Sequence, residues 1–128
     1  MSLMVLLAIY GSLRKGKRAH MILEEGNAKF IGSGYTLERF HMRANSLYPA
    51  IFIPKEGDKA SRIYVEVYDV SSALLKKIDA YEGVPSFYYR RKVRVKLDDG
   101  RIVDAEIYIC NDSYRGLFEY VIENGFWD

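Results

Sequence analysis

From Tyr89 to Cys110 the chain reads as a β-hairpin whose register is satisfied by one turn length, and this constrains the fold more than any other segment. With Asp98, Asp99 and Gly100 as a three-residue turn, Val95 faces Val103 and Val93 faces Ala105 on one side. On the other side Arg94 faces Asp104 and Lys92 faces Glu106. A two-residue turn would shift one strand and set apolar residues against charged ones, so the longer turn is expected. The same pairing accounts for the basic run Arg90, Arg91, Lys92, Arg94 and Lys96, which the acids of the adjoining strand largely match as a solvated face.

The remaining signals alternate between strand and helix, with no linker long enough to divide the chain, so residues 1–128 are read as a single domain. Met4 to Tyr10 is apolar throughout, as suits a central strand buried on both faces, and Gly11 and Ser12 end it. A short helix is expected over Arg18 to Glu25, with His20 on its surface. Gly32 to Arg43 and Leu47 to Pro54 read as extended, the pair Gly32 and Gly34 allowing an unusual backbone path. After a polar loop, Ile63, Val65 and Val67 alternate with Tyr64, Glu66 and Tyr68 and mark another strand. Leu74, Leu75, Ile78 and Tyr81 share one face of a helix from Ser72 to Tyr81. A last helix is expected near Tyr114 to Glu123, carrying Leu117, Phe118, Val121 and Ile122, followed by an apolar tail, Gly125, Phe126 and Trp127, that should dock.

Composition removes several classes of function. A chain of 128 residues can bury roughly two-thirds of its extended surface, enough for a real core. Its net charge of +2 and pI of about 8.6 fall short of a dedicated nucleic-acid binder. Cys110 stands alone, which excludes an internal disulfide and fits a reducing, cytoplasmic interior. His20 and His41 form no paired metal spacing with it, so no metal is expected. The apolar run from Leu3 to Ile9 is far shorter than a membrane span of about 20 residues and has no signal-peptide layout. Met1, Ser2 and Leu3 precede a second methionine, Met4, and are read as an added remnant.

Two local features carry chemistry. Glu82 falls on the apolar stripe of its helix, projecting between Ile78 and Leu75, with Gly83 as the stop residue beyond it. Partial dehydration and the negative end of the helix dipole both disfavour a charged carboxylate and raise its pKa, as general acid and base work requires. The alternative is a solvated glutamate on a frayed helix end. The other feature is Tyr10, Gly11, Ser12, Leu13 and Arg14, where a chain leaving a buried strand can aim consecutive backbone N–H groups at an anion. Gly11 to Lys17 also spells G-x-x-x-x-G-K, but Arg18 replaces the hydroxyl residue that would hold magnesium, so nucleotide hydrolysis is not favoured. Ser12 lacks the G-x-S-x-G setting and a placed histidine, so it is not favoured as a nucleophile. Phosphate binding through Arg14, Lys15, Lys17 and Arg18 competes with a plain solubility role for these residues.

Together these features resemble the gamma-glutamylcyclotransferases and the related gamma-glutamylamine cyclotransferases. The likeness rests on Y-G-S-L-R at Tyr10 to Arg14, on Tyr48, Pro49 and Ala50, on Tyr81, Glu82 and Gly83, on Tyr89 and Arg90, and on the closing Gly-Phe-Trp. The resemblance implies an α+β fold, a small mixed and largely antiparallel β-barrel flanked by helices, in which the glycine loop and the acid meet at one cavity. It implies that a small-molecule gamma-glutamyl substrate closes on itself as 5-oxoproline and releases an amine, with Glu82 as general acid and base. The amides of Gly11, Ser12 and Leu13, with Tyr10 at the mouth, would hold the glutamyl end, and Tyr89 would stand near the cavity or serve in packing. Neither a metal nor an organic cofactor is implied, nor is a nucleic-acid or membrane partner. No residue marks the leaving group or the oligomeric state. A binding module that holds a small carboxylate or a peptide end without turning it over is the competing reading.

Overall fold

The computed structural model describes residues 4–128, so the reading of Met1, Ser2 and Leu3 as a remnant lies outside the described residues. The elements run in the order β1 (Met4–Ile9), α1 (Met21–Glu25), β2 (Lys29–Ala44), β3 (Pro49–Phe52), β4 (Ser61–Ser71), α2 (Ser72–Glu82), β5 (Tyr88–Leu97), β6 (Ile102–Cys110), a 3₁₀ turn (Asp112–Leu117) and β7 (Tyr120–Ile122). Five strands close into a barrel in the order β2, β4, β1, β6, β5, and a short β2–β5 ladder forms the seam. Only the β1–β6 pairing is parallel within that ring. β3 and β7 extend the distal half of β2 on its two edges.

The hairpin register holds residue for residue: Lys92 lies opposite Glu106, Val93 opposite Ala105, Arg94 opposite Asp104 and Val95 opposite Val103. Leu97 closes the turn by donating its N–H to the Arg101 carbonyl, 2.8 Å away. The basic run finds acids on more than the adjoining strand. Arg90 reaches Glu106 on β6 but also Asp79 on α2, and Arg91 pairs with Glu38 on β2.

Strand alternation sorts the apolar side chains into two cores. Ala8, Phe40, Ile63, Val65, Val67, Val93, Val95, Ala105 and Ile107 fill the barrel. Leu7 and Ile9 point the other way, into a second cluster with Leu13, Leu23, Leu74, Leu75, Ile78, Tyr88 and Phe118. β1 is therefore apolar at successive positions because it separates the two cores, and its end near Tyr10 is where they meet.

Two expectations change. The first helix is shorter than expected: turns occupy the segment from Ser12 to His20, and helix begins only at Met21. The last expected helix is absent. Gly116 sits inside it, the chain makes a short 3₁₀ helix up to Leu117, and Tyr120, Val121 and Ile122 pair as a strand with Ala44, Arg43 and Met42. Aromatic and β-branched residues suit that ladder better than a helix interior, and Phe118 alone of the expected apolar face is fully buried. The tail docks as expected: the Phe126 ring packs edge-on against Tyr64 at 5.3 Å, and Arg14 lies over the Phe126 and Trp127 rings.

Candidate active site

The loop after β1 is built to turn its carbonyls inward. The Gly11 carbonyl accepts from the Arg14 N–H at 3.0 Å, the Ser12 carbonyl from the Ala19 N–H at 3.0 Å, and the Leu13 carbonyl from the His20 ring at 2.8 Å. His20 thus serves as a tie for the loop, beyond the surface role its sequence suggested. Among the described residues the amides of Gly11, Ser12 and Leu13 donate to no carbonyl or side chain. Three adjacent free donors beside tied-back carbonyls are the elements from which an anion-binding concavity can be built. Gly11 packs closely on Pro49: a Cβ there would stand 3.2 Å from the Pro49 ring, which would have to give by a few tenths of an ångström.

α2 delivers the acid. Ser71 caps its start, accepting from the Leu74 N–H at 3.1 Å, and Leu74, Leu75 and Ile78 anchor one face in the outer core. Gly83 ends it in the left-handed conformation at φ 69°, with its N–H on the Ala80 carbonyl. Glu82 is the last helical residue and is half-buried. Among the described residues its carboxylate makes no ion pair and accepts no hydrogen bond. Burial pushes its pKa up to about 7, and the neighbouring Asp79 carboxylate adds to the rise. Asp79 is itself held at 2.9 Å by Arg90 and at 2.7 Å by the Tyr108 hydroxyl, and Arg90 also contacts Glu106 at 2.6 Å.

The loop and the acid face one cavity of about 450 Å³. Tyr10, Gly11, Ser12 and Leu13 line it on one side, and Tyr81, Glu82 and Gly83 on another. Tyr48, Pro49, Phe87, Tyr88 and Tyr108 complete the wall, with Arg18 at the rim. The Ser12 hydroxyl lies 3.0 Å from the Tyr81 hydroxyl, which joins the two sides. No histidine stands beside Ser12 in this wall.

Tyr10 stands elsewhere than expected, and Tyr89 takes the packing role of its two readings rather than the cavity one. Tyr10 belongs to the floor, not the mouth: it is 6% exposed, and its hydroxyl donates to the Tyr108 carbonyl while accepting from the Ile51 N–H. Burial, with Glu82 nearby, raises its pKa well above the ordinary value. Tyr89 does not line the cavity; it packs toward the barrel core, and the neighbouring Tyr88 takes the cavity face, its hydroxyl on the Pro49 carbonyl at 2.9 Å. Parity along β5 makes that choice, because successive side chains point to opposite faces. In a run of Phe87, Tyr88 and Tyr89 the composition alone leaves parity open; Val93 and Val95, whose face was already assigned, put Tyr89 on their own side. Arg18, Tyr81 and Tyr108 also line the cavity: Tyr81 belongs to the Tyr81, Glu82, Gly83 motif and Arg18 to the basic segment, but the sequence marks neither as a cavity residue, and no motif points to Tyr108.

Of the basic residues near the loop, Arg14 is withdrawn from solvent. Arg14 is 5% exposed, surrounded by the Tyr64, Phe126 and Trp127 rings, and donates to the Trp127 carbonyl. No helix among the described residues is long and apolar enough to cross a membrane, and no group of acids, histidines and cysteine there could hold a metal ion.

Comparison with known proteins places nearly the whole chain among relatives. A protein of Methanocaldococcus jannaschii, provisionally named a gamma-glutamylcyclotransferase, is 41% identical over 111 residues, covering 87% of this chain and 88% of that one. The human gamma-glutamylaminecyclotransferase is 29% identical over 106 residues, covering 80% and 69%. The crystal structure of a mouse AIG2-like protein superposes with a TM-score of 0.82 over 98% of this chain and 88% of that one, at 24% identity, which speaks for the fold. The family described as gamma-glutamyl cyclotransferase, AIG2-like, matches residues 7–128, and the chain belongs to that family.

Proposed function

We infer that the protein is a gamma-glutamyl cyclotransferase: it converts a gamma-glutamyl amide or amino acid to 5-oxoproline and releases an amine, with residues 1–128 acting as one catalytic domain. One observation carries this reading. A half-buried, unpaired carboxylate and three unoccupied backbone amides line the same cavity.

In the reaction the α-nitrogen attacks the γ-carbonyl carbon, a new C–N bond closes the five-membered ring, and the original amide C–N bond breaks. The α-ammonium gives up two protons in becoming the ring amide, and the departing nitrogen ends as an ammonium holding both. Water is not consumed and nothing is oxidised. Glu82 takes a proton from the attacking nitrogen and passes one to the departing nitrogen; a carboxyl near pKa 7 exchanges protons readily in both directions. The amides of Gly11, Ser12 and Leu13 hold the glutamyl half by its negatively charged oxygens, and Tyr10 supports the loop from the floor. Tyr88, rather than Tyr89, contributes the wall. Holding the amine against its own carbonyl supplies much of the acceleration, since effective molarities of well-oriented closures exceed about 10⁵ M. Every step is proton transfer or addition at a carbonyl, so the scheme calls for neither a metal nor an organic cofactor. The buried, unpaired Cys110 supports a cytoplasmic setting.

Incubation with a panel of gamma-glutamyl amino acids, peptides and amines, with 5-oxoproline read by mass spectrometry, tests the proposal. Turnover of at least one compound is expected, with Glu82→Gln keeping the fold and losing turnover by about 10² to 10⁴. Tight binding without 5-oxoproline from any compound would make this a binding module instead.

A further inference from the structure

The cavity wall holds two charged side chains, Glu82 and Arg18, and they are unequally placed. Glu82 is half-buried beside the inner loop, where Ser12 is 7% exposed and Leu13 is 2% exposed. Arg18 is exposed at the rim, its guanidinium carbon 5.9 Å from the centre of the Tyr48 ring. Among the described residues it has no acid partner, whereas its neighbour Arg14 is enclosed by the aromatic tail and Lys17 lies over the Trp127 ring at 4.9 Å. Arg18 is thus the cation that faces the cavity.

We propose that Arg18 selects the leaving group: it receives a carboxylate on the departing half of the substrate, so that gamma-glutamyl amino acids and peptides are preferred over gamma-glutamyl amines whose departing half is neutral or cationic. The inference rests on the cyclisation reading, which orients the substrate. The α-amine must lie within proton reach of Glu82 and the glutamyl oxygens on the inner amides, so the departing half points outward to the rim. Tyr48, Tyr81 and Phe87 flank that path with aromatic surface and add no charge. A guanidinium offers a carboxylate two parallel N–H donors, and at this exposed rim such a bidentate contact discriminates severalfold, up to about tenfold. A cationic departing half meets repulsion from the same group.

Three substrates with a common glutamyl half read this directly: L-gamma-glutamyl-L-alanine, its alaninamide counterpart, and the mono-gamma-glutamyl derivative of 1,5-diaminopentane. The wild type should show the highest kcat/KM for the carboxylate, severalfold and up to about tenfold above the amide, with the cation lowest. Arg18→Gln should bring the carboxylate-to-amide ratio close to one, Arg18→Glu should favour the cation, and Arg18→Lys should restore most of the preference. An unchanged ratio in Arg18→Gln overturns the proposal. So does an equal loss on all three substrates, which would put the guanidinium on the shared glutamyl half. The cyclisation reading is tested separately by the wider panel, and if no member of it, these three included, yields 5-oxoproline, that reading fails on its own account. Calorimetric Kd values for the same compounds then decide the charge selection, and equal values for wild type and Arg18→Gln sink it.

Discussion

Glu82 keeps its carboxyl near pKa 7 because its surroundings offer no compensating cation: burial raises it first, and Asp79, one helical turn earlier, raises it further. Arg90, which holds Asp79, is committed to Asp79 and Glu106 and so supports the network behind the acid without neutralising Glu82 itself. This arrangement predicts a pH profile. The base form of Glu82 is the carboxylate, so kcat/KM on a gamma-glutamyl substrate should rise as pH increases through about 7 and level off above it. Removing the Asp79 charge removes one cause of the rise, so Asp79→Asn should move the rising limb toward lower pH. Loss of activity by distortion alone would lower the whole curve and leave its midpoint in place. Steady-state profiles of the two proteins between pH 5 and 9, a range of about two units either side of neutrality, distinguish these outcomes.

At the scale of elements, α2 matters more for where it stops than for how it starts. Ser71 caps its beginning through the Leu74 N–H, and removing such a cap costs about 1 kcal/mol. Gly83 stops it at φ 69°, a conformation that a Cβ strains, and that Cβ would stand 3.1 Å from the Phe87 Cβ in the cavity wall. Ser71→Ala should therefore lower stability in urea by about 1 kcal/mol with kcat kept, while Gly83→Ala should lose a similar amount and also depress kcat, because Glu82 and Phe87 move with it. Equal kcat for the two variants would break this link. Both ends of α2 were legible in the sequence, as were the hairpin and β1, because each had a periodicity and a stop residue in agreement. The segment after Asn111 did not. Leu117, Phe118, Val121 and Ile122 have helical spacing, but the free edge of β2 offered Tyr120–Ile122 a ladder that no local pattern reveals. The same limit applies to the site. Glu82 and the glycine loop announce themselves by breaking local rules, and Tyr81 comes with Glu82 on the same helix, whereas Arg18 and Tyr108 reach the cavity only through the way the chain folds around it.

For the whole molecule, closure depends on β2 meeting β5, and that seam is short: Gly34 opposite Leu97, Tyr35 opposite Lys96, Thr36 opposite Val95. β2 can serve both β4 and β5 because its pairing with β4 shifts register between Phe30 and Gly32 and again between Tyr35 and Arg39, bending the strand around the barrel. Gly34 sits between those irregularities. A Cβ there would lie 2.0 Å from the Lys96 carbonyl oxygen and 2.8 Å from the Leu97 Cα, both backbone atoms that cannot move without opening the seam. At Gly32 a Cβ would meet only the end of the Leu97 side chain, at 3.2 Å, and a rotamer change relieves that. The barrel core on Val93, Val95 and Leu97 is held in place by this ladder, so a breach exposes it and loosens the sheet that carries β1 and its loop. Gly34→Ala should accordingly cost more than about 3 kcal/mol in chemical denaturation or prevent accumulation of folded protein, whereas Gly32→Ala should cost about 1 kcal/mol. Hydrogen exchange on Gly34→Ala, where it folds, should show the Tyr35 and Thr36 amides losing protection ahead of those in β1 and β4; similar stability and exchange in the two alanine variants would mean that the seam is not what holds the barrel shut.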